Sequence, residues 1–135
     1  KNVLSEVNDA RNKQSPINRL PPSLLLRIFN VLRPTYSDYR PRRPGMYLKQ
    51  WIVVSLVCRY WRDACLASPS LWATVDLCSA PFAAAQQFVE RSADAPLQLF
   101  YSADQPAFTD DDKAILDAIV THHSGRVEQL HIVTD

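Results

Sequence analysis

The sequence predicts an α+β fold: a helical front half, then a second half in which strands and helices alternate. Three observations carry that expectation. An apolar helix pattern over 22–32 opens on a double proline, a Trp-rich apolar block covers 51–72, and strand-like and helix-like periods alternate from Thr74 onward. At 135 residues the chain is long enough for one compact domain, or for a small module joined to part of another.

The elements follow in order. Residues 1–14 are polar with Val3, Leu4 and Val7 at helical spacing, and read as a leader that is weakly ordered or helical. Pro21 and Pro22 suit the first turn of a helix, where backbone N–H groups lack an intrahelical partner. That helix should end near Leu32, because Pro34 disfavours helical geometry at Arg33. Residues 33–48 hold three prolines, one glycine and four arginines, and read as a loop. Trp51–Val57 is a short apolar stretch opening a second helix, along which Cys58, Trp61, Cys65 and Leu66 share a face. Ser68-Pro69 ends it, and Thr74–Leu77 is a short strand.

The second half is read as a helix over 80–91, a strand over 96–101, a helix from Thr109 to about His122 and a strand over 126–133. Thr109 followed by Asp110, Asp111 and Asp112 is a helix start, a hydroxyl cap with carboxylates at the positive end of the dipole. Strand–helix–strand–helix–strand implies parallel neighbours joined by right-handed crossovers. Such a sheet is the opening of a solenoid, and its last strand is an unpaired edge. The expected division is a leader at 1–14, a helical module at 15–77 and α/β repeats at 78–135. Lys1 in the place of Met makes a fragment the expectation.

Composition excludes several functions. Apolar residues at 47% and charged residues at 21% describe an ordinary water-soluble protein, and a net charge of +1 gives no field toward nucleic acid or a membrane. No apolar run approaches the roughly 18 residues of a membrane span. Two glycines argue against phosphate loops and tight hairpins, both of which need backbone at positive φ. Cys58, Cys65 and Cys78 are odd in number and irregularly spaced, which suits a reducing, intracellular setting, cytoplasmic or nuclear. Cys58 and Cys65 miss the spacing of a zinc pair, and Asp110–Asp112 lacks the glycine and final glutamate of a calcium loop. His122 and His123 end a helix, where a cation suits the dipole; His131 has no acid or nucleophile at a useful spacing. Arg33, Arg40, Arg42 and Arg43 read as solvated loop charges. Neither a catalytic set, nor a metal site, nor a cofactor site is expected, so the chain reads as a non-catalytic binding subunit.

The informative segment is the first long helix. Leu24, Leu25, Leu26, Ile28, Phe29, Val31 and Leu32 are apolar, and only Arg27 and Asn30 interrupt them. A helix on a small bundle needs one apolar stripe about 100° wide, so a second face is left to be covered. At roughly 25 cal/mol per Å², a few large side chains left in water forfeit several kcal/mol. A patch of this kind on a soluble module is a protein contact, and Trp51, Trp61 and Trp72 add the ring type favoured at interfaces.

These residues carry a resemblance. Ile17-Asn18-Arg19-Leu20-Pro21-Pro22-Ser23-Leu24-Leu25-Leu26-Arg27-Ile28-Phe29 resembles the opening of an F-box. Trp51-Ile52-Val53-Val54-Ser55-Leu56-Val57-Cys58-Arg59-Tyr60-Trp61-Arg62 resembles its second half, and Ser68-Pro69-Ser70-Leu71-Trp72 its closing signature. The likeness spans about residues 15–77 and is nearest to the F-box-like families of fungi. There, a Pro/Arg-rich insertion, Glu-Arg-Ser (here Glu90-Arg91-Ser92) and a Pro-Leu strand (Pro96-Leu97) are common, and a leucine-rich-repeat-like array follows.

The resemblance implies binding to the Skp adaptor of SCF-type cullin–RING ubiquitin ligases, with the downstream array capturing a protein substrate. Carried over residue by residue, the adaptor contacts are Leu20, Pro21, Leu24, Ile28, Leu32, Val57, Cys58, Trp61, Leu71 and Trp72. The alternative is an interaction scaffold with no ligase link. Two departures stand out: Ser23 replaces the usual acidic residue, removing a favourable charge at the helix start, and the 33–50 insertion leaves the pose of the second helix open.

Overall fold

The structure, a computed structural model, describes residues 2–33, 51–78, 82–102 and 109–133. The Pro/Arg-rich insertion, with Arg40, Arg42 and Arg43, lies outside the described residues.

The leader forms a complete helix, α1 (Val3–Gln14), whose first turn is capped by the Asn2 side chain accepting from the Leu4 N–H. None of its residues is buried. A 3₁₀ turn over Pro16–Arg19 leads into α2 (Pro22–Val31), which starts at Pro22 as the fixed φ of proline favours. Trp51–Leu56 is a 3₁₀ helix, where the sequence suggested the start of an α-helix. The α-helical part, α3, covers Arg59–Leu66. A 3₁₀ turn over Pro69–Trp72 then delivers the chain to strand β1 (Thr74–Leu77).

Helix α4 (Ala83–Arg91), strand β2 (Leu97–Ser102), helix α5 (Asp110–His123) and strand β3 (Val127–Val133) complete the fold. The three strands are parallel and lie in the order β1-β2-β3, with Val75 opposite Leu99 and Leu99 opposite Leu130. Both crossover helices cover the same face. Phe82, Ala85 and Val89 from the α4 side and Ile119 from α5 close over Val75, Leu77, Leu97 and Leu99. On the edge strand β3, Leu130 and Ile132 stand in register with Leu99 and Tyr101 yet remain well exposed. On the other face of the sheet, His131 stacks on Phe100 with ring centroids 4.6 Å apart.

A second core belongs to the helical module and gathers Leu25, Phe29, Trp51, Val54, Cys65, Leu71 and Trp72. Phe88 of α4 packs against both cores. Trp72 meets Trp51 and Phe88 edge-on at 5.0 and 5.1 Å, the geometry that ring quadrupoles favour. Its indole N–H donates to the Cys65 carbonyl at 2.9 Å, and the Arg91 guanidinium lies 4.5 Å above its ring. The helical module and the sheet are therefore packed together around three aromatic rings.

Two polar devices hold the sheet half. Asp112 completes a capping box with Thr109, and its Oδ1 accepts the Phe82 N–H at 2.9 Å, so one carboxylate ties the start of α5 to the lead-in of α4. These hydrogen bonds, the Phe82 N–H first and the Thr109 hydroxyl next, hold its pKa below the ordinary 3.8. A depressed folded-state pKa means stability that is present above the unfolded value and lost as pH falls through the folded value. Asp112→Asn is therefore expected to be less stable than wild type at neutral pH. The gap should close on acidification below the ordinary carboxylate range, as read by urea unfolding across pH. A gap that stays constant down to strongly acid pH contradicts this role.

The second device is Arg126, which donates to Ala95 O at 2.7 Å, Ser92 Oγ at 2.9 Å and Val89 O at 3.0 Å. It thereby pairs with the Val89 carbonyl in the last turn of α4, a position with no partner inside the helix, and with the Ala95 carbonyl in the turn that follows. The same guanidinium donates to His123 Nδ1 at 3.4 Å. Burial first, and then the charge of Arg126, lower the His123 pKa. At His123 this corrects the expectation of a cation: its imidazole accepts from Arg126, which carries the charge there.

Candidate partner-binding surface

Helix α2 divides its apolar residues between two faces. Leu25 and Phe29, one turn apart, are fully buried against Trp51, Cys65, Leu71 and Trp72. Leu24, Ile28 and Leu32, also one turn apart, form an outer ridge exposed by 43, 44 and 51%. Val31 beside them is exposed as well. The inner pair already fills the core position, so the ridge has no partner among the described residues. Asn30, one of the two polar interruptions, folds back to donate to the Leu26 carbonyl at 2.9 Å.

The 3₁₀ helix over Trp51–Leu56 sorts its side chains by a period of three. Trp51 and Val54 face the core, while Val53 and Leu56 face outward, followed by exposed Val57. Val53 and Leu56 are surface residues outside the expected contact set, as is Val31, which the sequence places only in the apolar surplus of α2. The sequence signal for Val53 and Leu56 is their spacing of three within an apolar run, which marks one face only in a 3₁₀ helix.

The remaining expected contact residues take different places. Leu20 and Trp61 are half-buried and pack on the module's core. Trp61 touches Phe29 at 5.0 Å between centroids and donates its indole N–H to Asn18 Oδ1 at 2.6 Å. The Leu20 carbonyl accepts the Tyr60 hydroxyl at 2.8 Å, which anchors the turn ahead of α2 and leaves Pro21 exposed. Cys58 is half-buried in extended geometry just ahead of α3. Leu71 and Trp72, in contrast, are 0% and 1% exposed and lie inside the core. Their assignment as contact residues is corrected: they support the ridge from beneath. Large apolar type is shared by anchors and core residues alike, so residue type alone could not place them.

Arg33 also departs from its expected place. In place of a solvated loop charge it is a clamp, donating to Ser70 O at 2.7 Å, Thr74 Oγ1 at 3.0 Å and Asn30 Oδ1 at 3.1 Å. Partial burial lowers its pKa, but a guanidinium remains a cation at neutral pH. The clamp joins the end of α2 to the turn before β1 and so fixes how the ridge sits on the module. Arg33→Ala is expected to cost about 1–3 kcal/mol, the range for losing hydrogen bonds to a charged donor. Chemical denaturation checks this, and a change below about 0.5 kcal/mol, the ordinary surface value, contradicts it.

Burial pushes the Cys65 thiol up to about 11, so it is protonated and a poor nucleophile at neutral pH. Among the described residues, no three His, Cys, Asp or Glu side chains gather where a metal ion could be held, and no helix is long and apolar enough to cross a membrane. What the arrangement can do is bury apolar area against another protein.

Residues 17–78 match the family model of the F-box-like domain. No solved structure matches the chain. The matched span starts in the 3₁₀ turn before α2 and ends just past β1, so the first strand of the parallel sheet lies within the F-box-like domain. That domain begins α2 with no side-chain cap and no acidic residue in its first turn. Ser23, where the resemblance leads one to expect an acid, leaves the positive helix end without a charge partner.

Proposed function

We propose that the F-box-like domain docks a Skp-type adaptor, which makes this chain the substrate-receptor subunit of an SCF-type cullin–RING ubiquitin ligase. The observation that carries this reading is the ridge of Leu24, Ile28 and Leu32, exposed on a helix whose other face already fills the core. Pro21, Val57, Cys58 and Trp61 extend the contact, and Leu20 backs it. The adaptor gains by covering apolar side chains that otherwise cost free energy in water. In this reading the chain supplies no reacting group, and its contribution to ubiquitin transfer is placement of a bound substrate.

The sheet half is read as the beginning of a leucine-rich-repeat-like array of the kind found in fungal F-box-like proteins, and as the side that captures protein substrate. Support comes from β3, where Leu130 and Ile132 lie on the face that α4 and α5 cover over β1 and β2. A further strand–helix unit added at that edge would bury both.

The test is co-purification of the chain with a purified Skp-type adaptor, comparing wild type with Ile28→Asp and Leu24→Asp. A complex with wild type that both substitutions abolish supports the ligase reading. Absence of a wild-type complex, or equal binding by the variants, defeats it in favour of a scaffold without a ligase link.

A further inference from the structure

Helix α1 lies beside the start of α3 without burying any of its residues. Arg59 makes the connection, pairing with Asp9 at 3.3 Å and donating to Ser5 Oγ at 3.3 Å. Exposed ion pairs of this kind contribute about 1 kcal/mol at most, so α1 is held in place more by chain connectivity than by packing. Between α1 and the 56–62 segment runs an open groove of about 780 Å³. A helix 10 Å across rises 5.4 Å per turn, so one turn fills about 420 Å³, and the groove has room for nearly two turns. Exposed Leu4, Leu56 and Val57 rim it, with Arg11 and Arg62 among its lining groups. Three arginines line the groove against a single acid, Asp9, which Arg59 already engages.

We infer that this groove takes an acidic amphipathic helical segment of the same adaptor that covers the α2 ridge. Two observations select that occupant. Val57 and Cys58, which the proposed adaptor contact includes, form one wall of the groove, so on that reading the adaptor already reaches its edge. The lining is basic with apolar rims, which complements a helix bearing carboxylates on one side and apolar residues on the other. Leu4 supplies the apolar contact and Arg11 the charge contact, so α1 is a functional extension of the docking surface. The inference rests on the proposed adaptor binding, and the experiment separates the two.

Affinity for the purified Skp-type adaptor is measured by calorimetry at low and high salt for the whole chain. Leu4→Asp is expected to weaken binding about tenfold, against near-complete loss for Ile28→Asp. Arg11→Gln is expected to leave the fold unchanged and to reduce the salt dependence of binding, a readout that a merely structural helix would not move. Val3→Asp, on a part of α1 that does not line the groove, is expected to bind as wild type does. If Ile28→Asp abolishes binding while Leu4→Asp and Arg11→Gln bind as wild type with an unchanged salt slope, the α1 inference falls and the adaptor reading stands. If wild type does not bind, both fall. If the chain alone sediments as a dimer and Leu4→Asp makes it monomeric, the groove takes a second copy and the inference is overturned.

Discussion

Trp72→Ala is expected to remove about 3–5 kcal/mol of folding stability, the range for truncating a large buried aromatic. Trp72 is 1% exposed, so its ring cannot be replaced by water without leaving a cavity. Three further losses add to the transfer cost. The Cys65 carbonyl loses the indole donor, the edge-on contacts with Trp51 and Phe88 disappear, and Arg91 loses the ring beneath it. Domains of this size have about 5–15 kcal/mol in total, so the variant should be largely unfolded or sharply shifted in urea midpoint. Because the three rings bridge the helical module and the sheet, signals from both halves should shift together. Trp72→Phe keeps a ring but loses the hydrogen bond and some volume, and should fall between wild type and alanine. A loss below about 1 kcal/mol for Trp72→Ala would show that the ring is not the joint.

Ile28→Asp should have the opposite profile, a near-normal fold with binding removed. Its site is 44% exposed, and exposed substitutions ordinarily shift stability by within about 0.5 kcal/mol. Once an adaptor covers the ridge, the new carboxylate is stripped of water with no partner, at a cost of several kcal/mol. Binding should weaken by about 100-fold or more, with thermal unfolding close to wild type. Phe29→Asp is the informative neighbour. It places the same charge one residue along on a fully buried position and should unfold the module outright. If Ile28→Asp binds within about twofold of wild type, the ridge is not the contact surface and the proposed function loses its support.

The elements were legible to a degree that tracks how local their causes are. Asp110 to Asp112 announced a helix start through hydroxyl and carboxylate chemistry within four residues, and the capping box of Thr109 and Asp112 forms there. Pro22 marks the first position of α2 because proline lacks the N–H that this position would leave unpaired. The alternation of strand and helix periods foretold three parallel strands, and the order β1-β2-β3 is the one that two successive crossovers produce. The leader was harder. Val3, Leu4 and Val7 form too narrow a stripe for periodicity to weigh a helix against fraying, and the Asn2 cap resolves it. The Trp51–Leu56 stretch is ambiguous in sequence because its five apolar residues, interrupted only by Ser55, satisfy a period of three and a period of 3.6 almost equally.

For the candidate site the boundary lies elsewhere. That α2 carries more apolar residue than one stripe can hide is a count over the sequence, and no fold can change it. Which residues stay outside is a question of neighbours. Leu25 and Phe29 turn inward because Trp51, Leu71 and Trp72 wait there, and Leu24, Ile28 and Leu32 face outward by the geometry of the same helix. Leu71 and Trp72 turned from expected anchors into core for the same reason, and Arg33 from a loop charge into a clamp reaching Ser70 and Thr74. Helix periodicity, caps and the surplus of apolar surface are properties of contiguous residues, and the sequence alone determined them. The inward and outward choice, the aromatic joint between the two halves and the groove beside α1 depend on residues tens of positions apart meeting in space, and only the tertiary structure could decide those.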